Sequence, residues 1–263
     1  MEREQIRISV RNLVEFILRS GDIDNRRASL DTMEAMQAGS RLHRKIQKKM
    51  GSTYHAEVPL NIIIEEENYE LGIWGRADGI IIEETVTIDE IKGVYLSLDL
   101  LEEPVKVHLA QAKCYAYIYG IQNDLQKINV QMTYGNLDTG DLKYFSYEYS
   151  MQQLQEWFSD LILKYKKWAD FQYEWRKKRQ ASIKELAFPF PYREGQKELA
   201  AGVYRTIARK KNLFIQAPTG VGKTISTLYP AIKAVGEGLG DKIFYLTAVS
   251  YTHLRAHETT LHL

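Results

Sequence analysis

Charged side chains interrupt two apolar runs in WGRADGIIIEETVTIDEIKG, from Trp74 to Gly93. Asp78 falls at the start of the first run, and Glu90 and Lys92 fall in the second. Ile, Val and Thr around them predict strands, and Glu83-Glu84 predicts a tight turn between them. An antiparallel pair folded at residues 83–85 brings Asp78 near Glu90. The strand period of two puts Glu90 and Lys92 on one face. Two neighbouring carboxylates repel unless a cation joins them, and Mg²⁺ or Mn²⁺ takes such oxygen ligands. A lysine one pleat away can orient or activate a metal-bound water and offset developing negative charge. That set suits phosphodiester hydrolysis. An isolated Asp…Glu-x-Lys is more often a plain hairpin with an exposed ion pair, so its context decides.

The context is specific. In GSRLH, His43 follows Gly39 by four residues on a predicted helix. In QAKCY, Gln111 and Tyr115 are at i and i+4, on one helical face. The ordered set Gly39–His43, Gly75–Asp78, Asp89-Glu90-Ile91-Lys92 and Gln111–Tyr115 resembles the RecB-like branch of the PD-(D/E)XK nucleases, over roughly residues 8–180. The resemblance implies an α+β nuclease core within an α/β chain, with a mixed sheet flanked by helices. It implies that Asp78, Glu90 and the Ile91 carbonyl bind metal and that Lys92 is the catalytic lysine. His43 would be a further ligand or orient water. Gln111 and Tyr115 would support the site and the nucleic-acid strand, and the implied partner is single-stranded or branched DNA. A catalytically silent domain that only grips DNA is the alternative. Nucleases of this fold often hold an iron–sulfur cluster on four cysteines; the one cysteine here, Cys114, departs from that pattern.

A second chemistry is written in NLFIQAPTGVGKTIS. An apolar strand leads into Ala217-Pro218-Thr219-Gly220-Val221-Gly222-Lys223-Thr224 and then a helix. Glycines let backbone N–H groups wrap a phosphate, the helix N-terminus favours the anion, Lys223 reaches the β- and γ-phosphates, and Thr224 can ligate Mg²⁺. Upstream, Gln196 in PYREGQKELA resembles the adenine-reading glutamine of superfamily 2 helicases. Residues 188–248 resemble the start of a DinG/XPD-like DNA helicase, an incomplete RecA-like P-loop domain. ATP is the implied cofactor. The acidic strand and second lobe that such a motor needs for hydrolysis are not found in this sequence, which predicts weak ATP binding without turnover. The tail VSYTHLRAHETTLHL shares nothing with the family and resembles translated adapter sequence.

The elements that must position these residues follow from periodicity. Residues 8–20 and 31–50 predict helices; 57–66, 69–74, 77–83 and 86–92 predict strands. Pro104 suits the first turn of a helix running to about Gly120. KINVQMTY and LKYFSYEY flank GNLDTG as a hairpin, and 151–180 predicts a long helix. Its aromatics Trp157, Phe158, Tyr165, Trp168, Phe171, Tyr173 and Trp175 read as packing residues rather than base-stacking platforms. His55 and His108 read as structural. The Pro-punctuated FPFPYREGQ marks a linker, giving domains 1–187 and 188–248 and a probable non-native tail 249–263. After the linker, 196–209 predicts a helix, and NLFIQ and KIFYLTA predict strands. The formal net charge of +1 predicts local basic patches rather than global steering. The charged N-terminus and the lack of an apolar run of about 18 residues predict a cytoplasmic chain without a membrane span.

Overall fold

The computed structural model describes residues 3–21, 31–218 and 220–246. Two compact units divide the chain, Met1–Tyr173 and Glu174–Leu263.

The first unit is a six-stranded mixed sheet with helices packed against it. In chain order it comprises β1 (Glu4–Ser9), α1 (Val10–Ile17), α2 (Asp31–Gln47), β2 (Tyr54–Glu65), β3 (Tyr69–Ile81), β4 (Thr87–Val94), α3 (Lys106–Gln122), β5 (Lys127–Asn136), β6 (Leu142–Ser150) and the first part of α4 (Met151–Glu185). β2 runs antiparallel along one side of β3. The other side of β3 has two partners. β1 pairs in parallel with Tyr69–Trp74, and β4 pairs antiparallel with Gly79–Ile81. Between them, Gly75–Asp78 have no ladder partner on that side. The sheet therefore forks there. β4 continues into β5 in parallel and β5 into β6 antiparallel.

The fork coincides with a change of face. Leu71, Ile73 and Ala77 put odd positions of β3 into the core, whereas Ile80 puts an even one there. On β2, the register that pairs Ala56 with Gly79 and Val58 with Ala77 sets Glu57 opposite Asp78, yet these two do not pair. Glu57 takes φ 55°, a left-handed conformation that costs a side-chain-bearing residue about 1–2 kcal/mol. The apolar face recovers on both sides of this distortion. The core is closed by Ala112, Cys114, Ala116 and Ile118 of α3 and by Leu154, Phe158, Leu161 and Tyr165 of α4. Leu42 and Ile46 of α2 pack on Ile91 in a second, smaller cluster.

Several elements differ from the sequence expectation. Residues 4–9 form a strand, where 8–20 alone was expected to be helical; Ile6 turns inward with strand periodicity, and the Ser9 hydroxyl then caps α1 by accepting from Asn12 N at 3.1 Å. The segments 69–74 and 77–83 are one strand, Tyr69–Ile81, unbroken through the fork. Pro104 precedes the helix cap Val105 instead of entering the first turn. Of the α4 aromatics, Phe158 and Tyr165 are buried, but Trp168, Phe171 and Trp175 are 45%, 62% and 54% exposed. No helix among the described residues is long and apolar enough to cross a membrane.

In the second unit, α5 (Gln196–Ala208) packs with α6 (Lys223–Gly236). Ile183 near the end of α4 sits against Gly236, where an added Cβ would come within 2.3 Å of its methyl carbon. Lys233 Nζ donates to the carbonyls of Ile183, Lys184 and Leu186, satisfying the end of α4. Residues 212–216 and 242–246, expected as strands, carry no strand here, and Phe214, Phe244 and Leu246 are exposed. A parallel strand needs neighbours on its edges, and neither segment finds a ladder partner among the described residues.

Candidate functional site

The fork in the sheet collects the ionisable residues. Asp78 is the last residue of the unpaired stretch of β3. Its Oδ2 accepts from the Ile91 amide at 2.8 Å, which ties β3 to β4 where the ladder lapses. Its Oδ1 lies 3.4 Å from His43 Nδ1. His43 reaches it from α2, which is held over β4 by Leu42 and Ile46 on Ile91. Glu57 completes this group: ligand atoms of His43, Glu57 and Asp78 all lie within 4.8 Å of one another. Gln47 steadies it, donating to Glu57 Oε1 at 3.2 Å and to the Asp78 carbonyl at 3.0 Å. Arg76 Nε lies 2.7 Å from the other Glu57 oxygen.

Glu90 lies in β4 and is fully buried. Its Oε1 accepts from Lys92 Nζ at 2.6 Å. Its Oε2 is buried with no hydrogen-bond partner. Burial, and then the charge of Asp78, push the carboxyl up to about 8 despite the lysine. A buried carboxylate with an orphaned oxygen is costly unless a cation or donor joins it. Lys92 also donates to Gln111 Oε1 at 3.3 Å, linking β4 to α3. One turn on, the Tyr115 hydroxyl meets the Gln111 side chain and the Arg76 backbone, and burial raises its pKa. Gly75 is what admits that ring. A Cβ at Gly75 would lie 2.6 Å from the Tyr115 hydroxyl oxygen. Gly39, by contrast, has open space around a would-be Cβ.

Asp89 has a different part. It is fully buried and accepts from Thr133 Oγ1 at 2.5 Å, Gln131 Nε2 at 3.3 Å and Tyr54 Oη at 3.1 Å. Tyr54 reaches it by crossing Gly79, where a Cβ would overlap the ring. Asp89 thus joins β2, β4 and β5 beneath the fork. His108 Nδ1 lies 3.0 Å from the Tyr134 hydroxyl, and burial, aided by Lys92 and Arg11, lowers its pKa to about 4.

The structure therefore brings His43 and Asp78 together, sets the Ile91 backbone against Asp78, and joins Glu90, Lys92, Gln111 and Tyr115 in one chain of contacts. Sequence reading missed Glu57. Its signal was indirect: the turn between β2 and β3, closed by Glu66 N on the Tyr69 carbonyl at 2.9 Å, fixes a register that puts residue 57 opposite residue 78.

The second unit holds the glycine-rich loop. Gly220 and Gly222 take φ 84° and 72°, which side-chain-bearing residues rarely adopt. Gly222 caps α6, and a Cβ there would fall 2.4 Å from Gln196 Nε2. Gln196 is buried and fully engaged: Oε1 accepts from Arg193 N and Nε2 donates to the Val221 carbonyl, each at 2.8 Å. Arg193 donates to the Gly220 carbonyl at 2.7 Å. Lys223 Nζ folds back onto the carbonyls of Pro218 and Ala217 at 2.7 and 3.2 Å. Thr224 Oγ1 lies 3.5 Å from the Tyr245 hydroxyl. Thr219 lies outside the described residues, as do residues 247–263. A cavity of about 670 Å³ opens between the loop and the start of α5, lined by Arg193, Gln196, Leu199, Ile215, Ala217 and Gly220.

No family model matches the chain. A 51-residue stretch, 19% of the chain, is 51% identical to a probable ATP-dependent helicase of Methanocaldococcus jannaschii, MJ0942, and the match spans 8% of that protein's length. Among solved structures, the crystal structure of SSO0001 is similar over 62% of this chain and 78% of that one, at 19% identity and a TM-score of 0.38.

Proposed function

We propose that the first unit is a metal-dependent nuclease of the RecB-like PD-(D/E)XK type and that it works beside an ATP-dependent DNA helicase motor. The observation that carries the nuclease reading is the orphaned Oε2 of buried Glu90. A carboxylate so placed, with Lys92 on its other oxygen and Asp78 and His43 at the same fork, fits a divalent cation. Asp78, Glu90, the Ile91 carbonyl, His43 and Glu57 would hold Mg²⁺ or Mn²⁺, which when bound supplies Lewis-acid polarisation of a phosphate and a more acidic water.

The chain's own residues do the rest. Lys92 places its positive charge beside Glu90, where negative charge grows on the attacked phosphate. Gln111 holds that ammonium from α3. Tyr115, seated over Gly75, fixes α3 against the fork. Gln47 and Arg76 hold the Glu57 carboxylate by both oxygens. The buried wall keeps bulk water away from Glu90.

The motor reading is supported by the loop from Ala217 to Thr224 and by the partial likeness to a probable ATP-dependent helicase. The positive-φ glycines and the close approach of Gln196 to Gly222 fit a phosphate cradle. Gly220, Val221, Gly222, Lys223, Thr224 and Thr219 would bind the triphosphate of ATP, with Gln196 beside the base. Lys223 would exchange its two loop carbonyls for phosphate oxygens. The domain division, 1–187 and 188–248, and a role in DNA repair or processing belong to the same proposal.

The test is cleavage of single-stranded DNA by the purified chain with Mg²⁺ or Mn²⁺. Lys92→Ala should abolish cutting while leaving fold and DNA binding largely intact. Failure to cut with either metal, or full activity in Lys92→Ala, overturns the nuclease reading and leaves a domain that only grips DNA.

A further inference from the structure

Phe16 of α1 and Trp168 of α4 are large aromatic side chains left 51% and 45% exposed beside a well-packed core. They meet edge to face, with centroids 5.3 Å apart and planes at 81°. Phe16 meets buried Tyr165 in the same way at 6.2 Å. An edge-to-face contact takes the edge of one ring and one face of the other, and both rings keep exposed area outside it. With Phe171, Asn12 and Arg19 they line an open groove of about 490 Å³.

Charge marks what such a groove would take. Arg19 lines it, and Lys167 Nζ lies 5.4 Å over the Trp168 ring. The lining carboxylate, Glu15, is paired with Arg11 Nε at 2.7 Å. With Glu15 neutralised by Arg11, Arg19 and Lys167 leave two net positive charges around an aromatic floor. Lipid or a hydrophobic peptide would call for aliphatic walls; stacked rings with flanking cations suit bases and phosphates.

Position links the groove to the fork. Asn12, Glu15 and Phe16 follow the i, i+3, i+4 spacing of one α1 face, and Arg19 lies just past the end of that helix. α1 also packs against α3, the helix that carries Gln111 and Tyr115 at the fork. One short helix thus borders both places.

The geometry points to a base-stacking platform for single-stranded nucleic acid, formed by Phe16, Trp168 and Phe171 with Arg19 and Lys167, which receives the strand on its way to or from the fork. It rests on the nuclease reading above and adds the chemistry by which the substrate is held: unpaired, unstacked bases. A duplex keeps its bases stacked on one another and offers no free face.

The test compares two labelled ligands of equal length, oligothymidylate and an abasic strand, by fluorescence anisotropy with the full chain in EDTA. The wild type should bind oligothymidylate more tightly. Trp168→Ala and Phe16→Ala should each weaken that binding about ten-fold while changing abasic-strand binding by less than about two-fold. Trp168→Phe, which keeps a ring, should retain most of the affinity and guards against a folding artefact. Equal losses on both strands, or no loss on either, overturn the platform. A shift in oligomeric state in the alanine variants, with DNA binding unchanged, also overturns it and assigns the groove to a protein contact. A wild-type chain that binds neither strand contradicts the nuclease reading itself.

Discussion

Burying Glu90 beside Asp78 has a thermodynamic sign. The carboxyl moves from an ordinary 4.5 up to about 8 on folding, because burial and Asp78 both disfavour its charge. The folded chain thus holds this proton more tightly than the unfolded chain. Its stabilising contribution is fully present below pH 4.5 and is lost as pH rises through about 8. In EDTA, the thermal midpoint should fall across that window, and Glu90→Gln should flatten the fall. A midpoint that rises with pH in the wild type would contradict the burial argument. Gly75 gives a second residue-scale prediction. A methyl group there meets the Tyr115 ring, so Gly75→Ala should cost about 1–3 kcal/mol in urea melts. Pairing it with Tyr115→Leu should recover part of that loss. Glu57 behaves oppositely. Glu57→Gly removes a left-handed strain of about 1–2 kcal/mol, so stability should hold or rise while Mn²⁺ affinity falls.

Among the elements, the pairing of β3 with β1 below and β4 above makes the site, and α1 must leave β1 at once to clear the fork. Ser9 performs that switch as the cap of α1. Ser9→Ala should lower stability by about 1 kcal/mol, read by denaturant melts. This junction was hard to read from sequence, because EQIRIS is short and Ile8 also reads as the first apolar position of the helical run 8–20. The hairpin of β5 and β6 was easy: GNLDTG lies between two long alternating runs. The placement of Asp78, Glu90 and Lys92 followed from strand period and one turn. The change of face at Asp78, and with it Glu57, did not follow. That distortion depends on β1 and β4 sharing one edge of β3, a non-local pairing that no window of sequence contains. The segments 212–216 and 242–246 show the reverse failure: their composition favours strands, but composition supplies no ladder partner.

At the scale of the whole molecule, a formal net charge of +1 would leave the proposed attraction to DNA to local clusters. One is the end of α2 and its continuation, where Lys45, Lys48 and Lys49 follow His43. If they track phosphates, binding of single-stranded DNA should weaken steeply with salt. Replacing all three with Ala should reduce the salt slope by about 2, at roughly 0.7 per lost contact; an unchanged slope would remove this cluster from the interface. The central claim, that the fork is a divalent-metal site completed by Glu90, is tested most directly by Mn²⁺ binding to the intact chain. Electron paramagnetic resonance reads the free ion. The wild type should take up Mn²⁺, and Glu90→Gln, matched to it by circular dichroism, should bind at least about ten-fold more weakly. Wild-type protein that leaves all Mn²⁺ free, or a Glu90→Gln variant that binds it as tightly as the wild type, would contradict the account.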